Sequence, residues 1–460
     1  AFPAEDGIRD LASSLVGSEM CIRDRFLAAP ASGQGKTTIT AAIARLLKRQ
    51  GKVVRVFKTG PDYLDPQILE QASGQPVRQI DLWMAGEEWC QQQFYQAAKV
   101  ADLILIEGAM GMFDGDPSSA DLAARFGVPM VVVMDVKGMA QTAAAIVKGL
   151  ADFRDDVDVV GMIANKCGTE RHRQLIADAL PESIPLLASL ERSESVALPE
   201  RHLGLVQAAE VGDELEQRFE AGADWLVAAG AENILERFAP VEFSASPPES
   251  LPAQLRGLRI GVARDAAFSF IYESNLELLH DLGAEVCFFS PLDDTVLPDV
   301  DGLWLPGGYP ELHAERLAAN RGMIADLARF HAAHKPILAE CGGLLYCLET
   351  LTDLDEQCFP MAGLLQGHGA MRGKRGCQGM QTVPLPEGDV RAHAHHRSRS
   401  SDTPEPIAHG RRQRHPAPGE AVYRVGNLTA TYLHMFFPSN PQAIVDLFKP
   451  GQAIESGEVA

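Results

Sequence analysis

Two short motifs, about 300 residues apart, hold residue types that could do chemistry. The first is Ser32-Gly33-Gln34-Gly35-Lys36-Thr37-Thr38, and the second is Ala339-Glu340-Cys341-Gly342-Gly343. The first has the composition of a phosphate-binding loop, and the second that of a nucleophile elbow. Because carboxamide formation needs an activated carboxylate and a source of ammonia, the pair predicts an ATP-driven amide synthase that releases ammonia from glutamine.

The glycines and the lysine of the first motif explain why it suits a nucleotide. The glycines let the backbone turn its N–H groups toward phosphate, Lys36 neutralises the oxygens, and the Thr37 hydroxyl can ligate Mg²⁺. Pro30 stands where the strict pattern has glycine, and Ala31 stands where partition-type ATPases place an additional lysine. We predict nucleotide contacts from Gly33, Gln34, Gly35, Lys36, Thr37 and Thr38.

Two segments rich in Asp and Gly follow the second and third predicted strands: KTGPDYLDP at 58–66 and EGAMGMFDG at 107–115. Ligands bind at the carboxyl ends of strands in parallel sheets. Glu107 is therefore predicted to bind Mg²⁺, as is Thr37, while Asp62 and Asp114 are predicted to bind a second metal or to position the substrate carboxylate. The alternative is that these residues only form turns.

The second motif predicts a cysteine nucleophile. A sharp turn from strand to helix exposes the Cys341 thiol, and the helix N-terminus favours its thiolate. The oxyanion and glutamine are predicted to contact Gly307, Gly308 and Gly342. His434 is the predicted base. Triad glutaminases usually place glutamate where this chain has Phe436, so we predict a Cys–His dyad; a purely structural cysteine is the alternative.

The histidines at 393, 395 and 396 look like metal ligands, but they lie in a polar stretch, 372–418, predicted to form loops and edge strands, so no metal site is predicted there. The eight cysteines include no CxxC pair, which favours a reducing cytoplasm. The net charge of −21 argues against nucleic acid as a partner, and no apolar run is long enough to span a membrane. An anionic substrate must therefore meet local Lys and Arg.

Apolar runs alternate with helical patterns over 26–236 and again over 256–448. Such runs are typical of parallel sheets covered on both faces, so we predict an α/β protein of two doubly wound domains. A segment rich in proline, 237–255, is the predicted linker, and 449–460 a tail. Residues 1–25 fit no element and resemble translated adapter sequence, which indicates a non-native leader that replaces the start of the first strand.

Together the motifs resemble the cobyrinic acid a,c-diamide synthase family over residues 26 to about 448. The marks are PASGQGKTT, KTGPDYLDP, EGAMGMFDG, PERHLGL, GVARDAAFSF, LPGGYPEL, AECGGLLY and TYLHMFF. The resemblance implies a P-loop synthetase domain, a class I glutamine amidotransferase domain, ATP, Mg²⁺ and a corrin substrate. The family positions concerned with substrate and metal match Asp62, Tyr63, Leu64, Glu107 and Asp114.

Arg201 and His202 are candidates for contacts with corrin carboxylates, with a structural salt bridge as the alternative. The stretch 392–398 departs from the family's usual pattern. Cobyric acid synthase and Ni-sirohydrochlorin diamide synthase are the rival enzymes, and a nucleotide-switched ATPase without glutaminase activity is the rival of another class. The sequence does not fix the oligomeric state, and a homodimer is retained as an alternative.

Overall fold

The computed structural model describes residues 18–201, 204–205, 212–245, 251–373 and 376–449. The strands of the N-terminal part are β1 Ser18–Ala28, β2 Val54–Thr59, β3 Arg78–Ile80, β4 Leu103–Glu107, β5 Met130–Asp135, β6 Val159–Asn165, β7 Leu186–Leu190, β8 Glu200–Arg201, β9 Gly204–Leu205 and β10 Pro240–Ala245. Its helices are α1 Lys36–Arg49, α2 Asp65–Ser73, α3 Glu87–Ala98, α4 Ser119–Phe126, α5 Gln141–Asp152, α6 Glu170–Ala177 and α7 Gly212–Ala228.

These strands form a sheet in the order β3-β2-β4-β1-β5-β6-β7, in which every neighbouring pair is parallel. Both faces are buried. Along β5, Val131 and Val133 join the core on the side of α1, while Val132 and Met134 join the opposite core. The continuous apolar runs in the sequence arise because helices cover both faces.

Part of the predicted linker belongs to this sheet. Strand β10 pairs antiparallel with the first half of β1, from Ser18 opposite Ala245 to Arg23 opposite Pro240. The predicted leader also overlaps β1, since Arg23–Leu27 pairs with β4. Residues 18–25 therefore occupy a strand position, whatever their origin, and the remainder of the leader, 1–17, lies outside the described residues.

Asp24 is out of place in this central strand. Its side chain is fully buried, and neither carboxylate oxygen has a hydrogen-bond partner among the described residues. Burial raises the pKa of Asp24 to about 7, although Arg25 opposes the shift. A buried polar group without partners lowers stability, so β1 carries a destabilising residue where an apolar one would fit.

We expect Asp24→Val to stabilise the protein by about 2 to 4 kcal/mol at pH 8. The pKa of Asp24 is higher in the folded chain than its ordinary value of 3.8, so the folded state binds this proton more tightly. The stability that the folded protein gains from holding this proton is complete below about pH 4 and is lost as the pH rises through about 7. Urea unfolding at several pH values should show the gain of the variant growing over this range. The exposed Asp155→Val is the control, and an equal gain there, or no gain at position 24, would contradict the argument.

The C-terminal part holds strands β11 Arg259–Ala263, β12 Glu285–Phe289, β13 Gly302–Leu305, β14 Ile337–Glu340, β15 Thr350–Thr352, β16 Cys358–Pro360, β17 His368–Met371, β18 Cys377–Leu385, β19 Gly388–His396, β20 Ser398–Ser401, β21 Ala408–Arg412, β22 Pro418–Val425, β23 Leu428–Thr431 and β24 Leu433–Met435. Its helices are α8 Glu273–Asp281, α9 Ala314–Ala319, α10 Arg321–Ala332, α11 Gly342–Cys347 and α12 Pro441–Phe448. Short 3₁₀ helices span Ile234–Arg237, Pro310–His313 and Phe437–Ser439.

Ten of these strands form one sheet in the order β12-β11-β13-β14-β23-β22-β21-β18-β19-β24. It is parallel from β12 to β23 and antiparallel beyond. A smaller sheet has the order β16-β15-β17-β20, and β8 pairs with β9. The two-domain α/β prediction is confirmed, but 372–418 holds long strands rather than mainly loops, because Arg, His and Gly on its exposed face hide the alternation of buried residues.

Candidate functional site

A cavity of about 1470 Å³ lies between the two parts of the chain. The phosphate loop and the carboxyl ends of β2 and β4 form one wall, and residues 378–381 and 412–415 of the C-terminal part form another. This volume exceeds the range of about 300–1000 Å³ typical of small-molecule pockets. The cavity therefore has room for more than one substrate.

The loop has the conformation that phosphate binding requires. Gly33 and Gly35 have positive φ angles of 76° and 91°, and α1 starts at the next residue, Lys36. The Lys36 amino group reaches across the loop and donates to the carbonyl of Met110 at 2.8 Å. Thr37 and Thr38 also line the cavity.

Gln34 has a different role from its neighbours. Its side-chain oxygen accepts from the backbone N–H of Asp135 at 2.8 Å, and its carbonyl accepts from the Asn165 side chain at 2.9 Å. A Cβ on Gly35 would lie 2.3 Å from the Asn165 amide nitrogen. Asn165, which was not predicted as a site residue, thus packs against the loop, and the hydrogen bonds of Gln34 fix the loop in place.

Lys58 is the centre of the acidic group beside the loop. Its amino group donates to Glu107 and to Asp65, each at 2.6 Å, and lies 3.9 Å from Asp62. These carboxylates raise the pKa of Lys58 well above its ordinary value despite the opposing effect of burial. The Thr37 hydroxyl donates to Glu107 at 2.7 Å. Lys58 and Asp65 were not predicted as site residues, although both lie in the KTGPDYLDP segment.

The predicted substrate residues Asp62, Leu64 and Asp114 all line the cavity. Asp62 also accepts from the backbone N–H groups of Leu64 and Asp65, at the start of α2, at 3.0 and 3.1 Å, and burial raises its pKa to about 7. Asp114 accepts from the Gly111 N–H at 3.0 Å.

The structure describes only part of the predicted substrate-binding pair, Arg201 and His202. The backbone of Arg201 belongs to β8, which pairs with β9. His202 lies outside the described residues. Contacts of either side chain with substrate therefore stay predictions.

Cys341 sits at a strained turn between β14 and α11. Its φ and ψ angles are 47° and −98°, which few residues other than glycine adopt. The Cys341 N–H donates to the Thr431 carbonyl at 2.8 Å, which ties the turn to β23, and Sγ lies 3.8 Å from the His395 carbonyl. Burial, with Glu311 nearby, raises the pKa of the Cys341 thiol well above its ordinary value.

His434 lies on β24, three residues after Thr431. Its ring is buried, and neither ring nitrogen has a hydrogen-bond partner among the described residues. Burial lowers its pKa well below the ordinary value, and the neighbouring histidines act in the same direction. Both shifts favour the neutral forms of the thiol and the imidazole, contrary to the expectation that the helix N-terminus favours the thiolate, and no hydrogen bond joins the two groups in the described part of the chain.

Glu340, next to Cys341, is held by hydrogen bonds within the protein. It accepts from the Trp304 indole N–H at 2.9 Å and from the Met435 N–H at 2.8 Å, and burial raises its pKa to about 8. Phe436, where a triad would have glutamate, is buried against Trp89 and Tyr272. No carboxylate hydrogen-bonds His434 in the described structure, so the dyad stays a prediction.

The three predicted oxyanion glycines lie close to one another and to His434. A Cβ on Gly342 would lie 3.0 Å from the backbone nitrogen of Gly308, so these residues are in close contact. A Cβ on Gly307 would lie 2.1 Å from Cε1 of His434. Only glycine therefore fits beside His434.

We expect Gly307→Ala to displace the His434 ring and to lower glutaminase kcat by about 100-fold, because misplacement by about 1 Å is that costly. Ammonia-dependent synthesis should change less than about twofold, since Gly307 does not line the large cavity. Ammonia release from glutamine is the measurement. Gly149→Ala, with open space around it, is the control, and normal glutaminase activity in Gly307→Ala would contradict the geometry.

Tyr63 joins the two parts of the site. It lines the large cavity, yet its ring stacks on Phe270 at 5.0 Å and lies 4.8 Å from the His434 ring. Its hydroxyl is 2.7 Å from that of Tyr272. Cys341 and His434 do not line the cavity, whereas His393, the cross-strand partner of His434, does. Tyr63 and Phe270 thus line the cavity and also contact the His434 ring, which does not line it.

The cavity is lined by eight basic and eight acidic side chains, although the chain as a whole carries a net charge of −21. Besides Lys36 and Lys58, six basic residues line it: Lys137, Lys166, Arg192, Arg218, Arg412 and Arg414. Lys166 pairs with Asp135 at 2.7 Å, and Arg414 lies 3.5 Å from Asp116. The expected local contacts for an anionic substrate are therefore present.

Comparison with known proteins gives the same division of the chain. Residues 26–206 match the CobQ/CobB/MinD/ParA nucleotide binding domain family, and residues 259–442 match the CobB/CobQ-like glutamine amidotransferase domain family. Both matches cover the motifs from which the sequence analysis predicted an ATP site and a glutaminase site.

Three relatives are similar over nearly the whole chain. The hydrogenobyrinate a,c-diamide synthase of Stutzerimonas stutzeri is 53% identical, over 92% of this chain and 98% of its own length. The protein of that name from Pseudomonas aeruginosa is 51% identical over 93% of this chain and 97% of its own. The cobyrinate a,c-diamide synthase of Herminiimonas arsenicoxydans is 46% identical, over 91% and 95% respectively.

Proposed function

We propose, because this chain belongs to the family of hydrogenobyrinate and cobyrinate a,c-diamide synthases, that it converts the a and c side-chain carboxylates of such a corrin to amides. The family reaction uses ATP and glutamine and belongs to cobalamin synthesis. The chain is accordingly an amidating ligase. Its seven described cysteines are free thiols, which supports our proposal of a reducing, cytoplasmic location.

The large cavity is the observation that carries this proposal. It places a phosphate loop, an acidic group and several basic side chains around one space of about 1470 Å³. A nucleotide and a corrin with several carboxylates are both large and anionic. The cavity has room to hold them together beside the phosphate loop.

The residues beside the loop fit Mg²⁺. Glu107 Oε2 is buried without a hydrogen-bond partner among the described residues, and Thr37 contributes a hydroxyl to the same spot. Hard oxygen donors of this kind are what Mg²⁺ takes. Thr37 and Glu107, with Asp62 as the predicted third ligand, would hold the ion, which would neutralise charge on the phosphates. Asp65 lies 3.3 Å from Thr37 and is a further candidate.

We propose that Cys341 attacks the side-chain amide of glutamine. His434 accepts the thiol proton and passes it to the departing nitrogen, so that a thioester forms and ammonia leaves. The N–H groups of Gly308 and Gly342 stabilise the oxyanion. Water then hydrolyses the thioester and regenerates the thiol.

We propose that the carboxylate of the corrin attacks the γ-phosphate of ATP in the cavity. The acyl phosphate then has a leaving group, which a free carboxylate lacks, and ammonia displaces phosphate to give the amide. Lys36 stabilises charge on the transferred phosphoryl group, and Lys58 holds Asp65 and Glu107 in place. Ammonia released at Cys341 has to pass the side chains of Tyr63 and Phe270 to reach the cavity.

Mass spectrometry of the corrin recovered after incubation with MgATP and glutamine tests this proposal. We expect two amides to be added to hydrogenobyrinic acid, to cobyrinic acid, or to both, and the preferred substrate shows whether cobalt is already present. If neither is amidated while glutaminase activity is intact, the rival enzymes cobyric acid synthase and Ni-sirohydrochlorin diamide synthase should be assayed with their own substrates, and the proposed substrate is wrong.

A further inference from the structure

A second cavity, of about 560 Å³, opens in the C-terminal part. Cys377, His396 and Glu420 line it, together with Ser398 and Tyr432. Cys377 on β18 is the direct cross-strand partner of His396 on β19, so the two side chains share one face of the sheet. Glu420 belongs to β22. Three strands of one sheet, two of them adjacent and the third beyond β21, thus present sulfur, nitrogen and oxygen to the same region.

The distances among these donors suit a tetrahedral ion. One ligand atom from each residue lies within 4.8 Å of the others. His396 Nε2 and Glu420 Oε2 are 3.4 Å apart. Two ligands at about 2.0–2.1 Å from zinc, at the tetrahedral angle, would be separated by about 3.4 Å. A small rotation of the Cys377 side chain would complete the set.

The hydrogen bonds of His396 show which nitrogen is available. Nδ1 lies 3.2 Å from the carbonyl oxygen of Ser398, which can only accept, so Nδ1 carries a proton. Nε2 is buried, and apart from the contact with Glu420 Oε2 at 3.4 Å it has no hydrogen-bond partner among the described residues. The Tyr432 ring stacks on the imidazole at 4.0 Å and fixes its orientation. A backbone carbonyl on Nδ1 that leaves Nε2 free is the arrangement found in histidines that ligate metals.

We infer that Cys377, His396 and Glu420 bind a divalent transition metal ion of the zinc class and leave a fourth position open to the cavity. In neutral His396 the Nε2 lone pair faces a carboxylate, and a cation between them removes that repulsion. Binding replaces the Cys377 thiol proton with a sulfur–metal bond and releases the proton to solvent. A histidine–glutamate ion pair without metal is the competing arrangement.

Arg412 is the cation already beside this group. Its guanidinium donates to Cys377 Sγ at 3.7 Å and lies 4.0 Å from Glu420. One third of the Arg412 side chain is exposed, so it can move toward solvent when a metal ion enters. The three histidines at 393, 395 and 396 do not form one site: His393 and His395 line the large cavity, whereas His396 lines the second cavity.

The site lies close to the glutaminase nucleophile. The carbonyl of His395, one residue before His396, is the group 3.8 Å from Cys341 Sγ. A metal ion would join β18, β19 and β22 at this point. We therefore expect it to stabilise the fold around the nucleophile, independently of which substrate the enzyme amidates.

Titration of the full-length, chelator-treated protein with Co²⁺ tests the inference. We expect one ion per chain with tetrahedral d–d absorption and a sulfur-to-cobalt charge-transfer band. Cys377→Ser should lose the band, and His396→Gln and Glu420→Gln should bind Co²⁺ at least about 100-fold more weakly. Zn²⁺ should raise the Tm of the unaltered protein but not that of Cys377→Ser.

Two controls separate this site from others. Cys358→Ser, at an exposed cysteine, and Cys341→Ser should both keep the charge-transfer band. Cobalt bound only by the oxygen ligands beside the phosphate loop would give no such band. An absent band in the unaltered protein, a band that survives in Cys377→Ser, or one that disappears in Cys341→Ser would overturn the inference.

Discussion

Cys341→Ser is expected to lower glutamine-dependent amidation by a thousandfold or more, since loss of a catalytic nucleophile typically costs about that much. Amidation with added ammonium should stay within about twofold of the unaltered protein. The reason is spatial: Cys341 does not line the large cavity where ATP and the corrin are proposed to meet. Product formation with each nitrogen source is the measurement.

Cys358→Ser is the matched control, because Cys358 is an exposed thiol on β16 and should be dispensable for both reactions. If Cys341→Ser lost ammonia-dependent amidation as well, the glutaminase site and the synthetase site would not function separately, contrary to our proposal. If it kept glutamine-dependent activity, another residue would have to be the nucleophile.

Lys58→Met is expected to abolish amidation with either nitrogen source and to destabilise the protein by about 3 to 5 kcal/mol. Lys58 is almost completely buried and compensates the charge of Glu107 and Asp65, each at 2.6 Å. Removal of one partner from a buried ion pair leaves the others uncompensated. Urea unfolding measures the stability, and amidation should be assayed at a temperature where the variant is folded.

Lys52→Met makes the same change in an exposed pair. Lys52 lies 3.4 Å from Asp102, and both side chains are well exposed, so we expect a loss below about 1 kcal/mol and normal amidation. Equal losses in the two variants would show that the buried acidic group has no special role. A stable and active Lys58→Met would contradict the proposed arrangement of the synthetase site.

Features encoded by short segments were predictable. The phosphate loop and the cysteine elbow each combine a buried strand, a glycine turn and the first turn of a helix, and all three are visible in adjacent residues. Many of the parallel strands in the two sheets were predictable for a related reason: with both faces buried, apolar residues follow one another without interruption. The family resemblance rested on these segments and is confirmed.

Contacts between distant segments were not predictable. The KTGPDYLDP segment showed its acidic residues, but only the fold places Lys58 between Glu107 and Asp65. Tyr63 was predicted to contact substrate, and nothing near it in sequence indicates that it also packs on Phe270 and His434. Strand β10 was read as linker because proline and serine dominate its surroundings, and its pairing with β1 spans more than 200 residues.

The central claim is that one chain releases ammonia from glutamine and uses it, with ATP, to amidate a corrin twice. The most direct test supplies glutamine labelled with ¹⁵N in its side-chain amide, MgATP, hydrogenobyrinic or cobyrinic acid, and unlabelled ammonium at a concentration too low to support amidation by Cys341→Ser. We predict a diamide that contains two ¹⁵N atoms, because ammonia passes from Cys341 to the cavity inside the protein. A diamide that contains mainly unlabelled nitrogen, or no diamide from either corrin, would contradict the account.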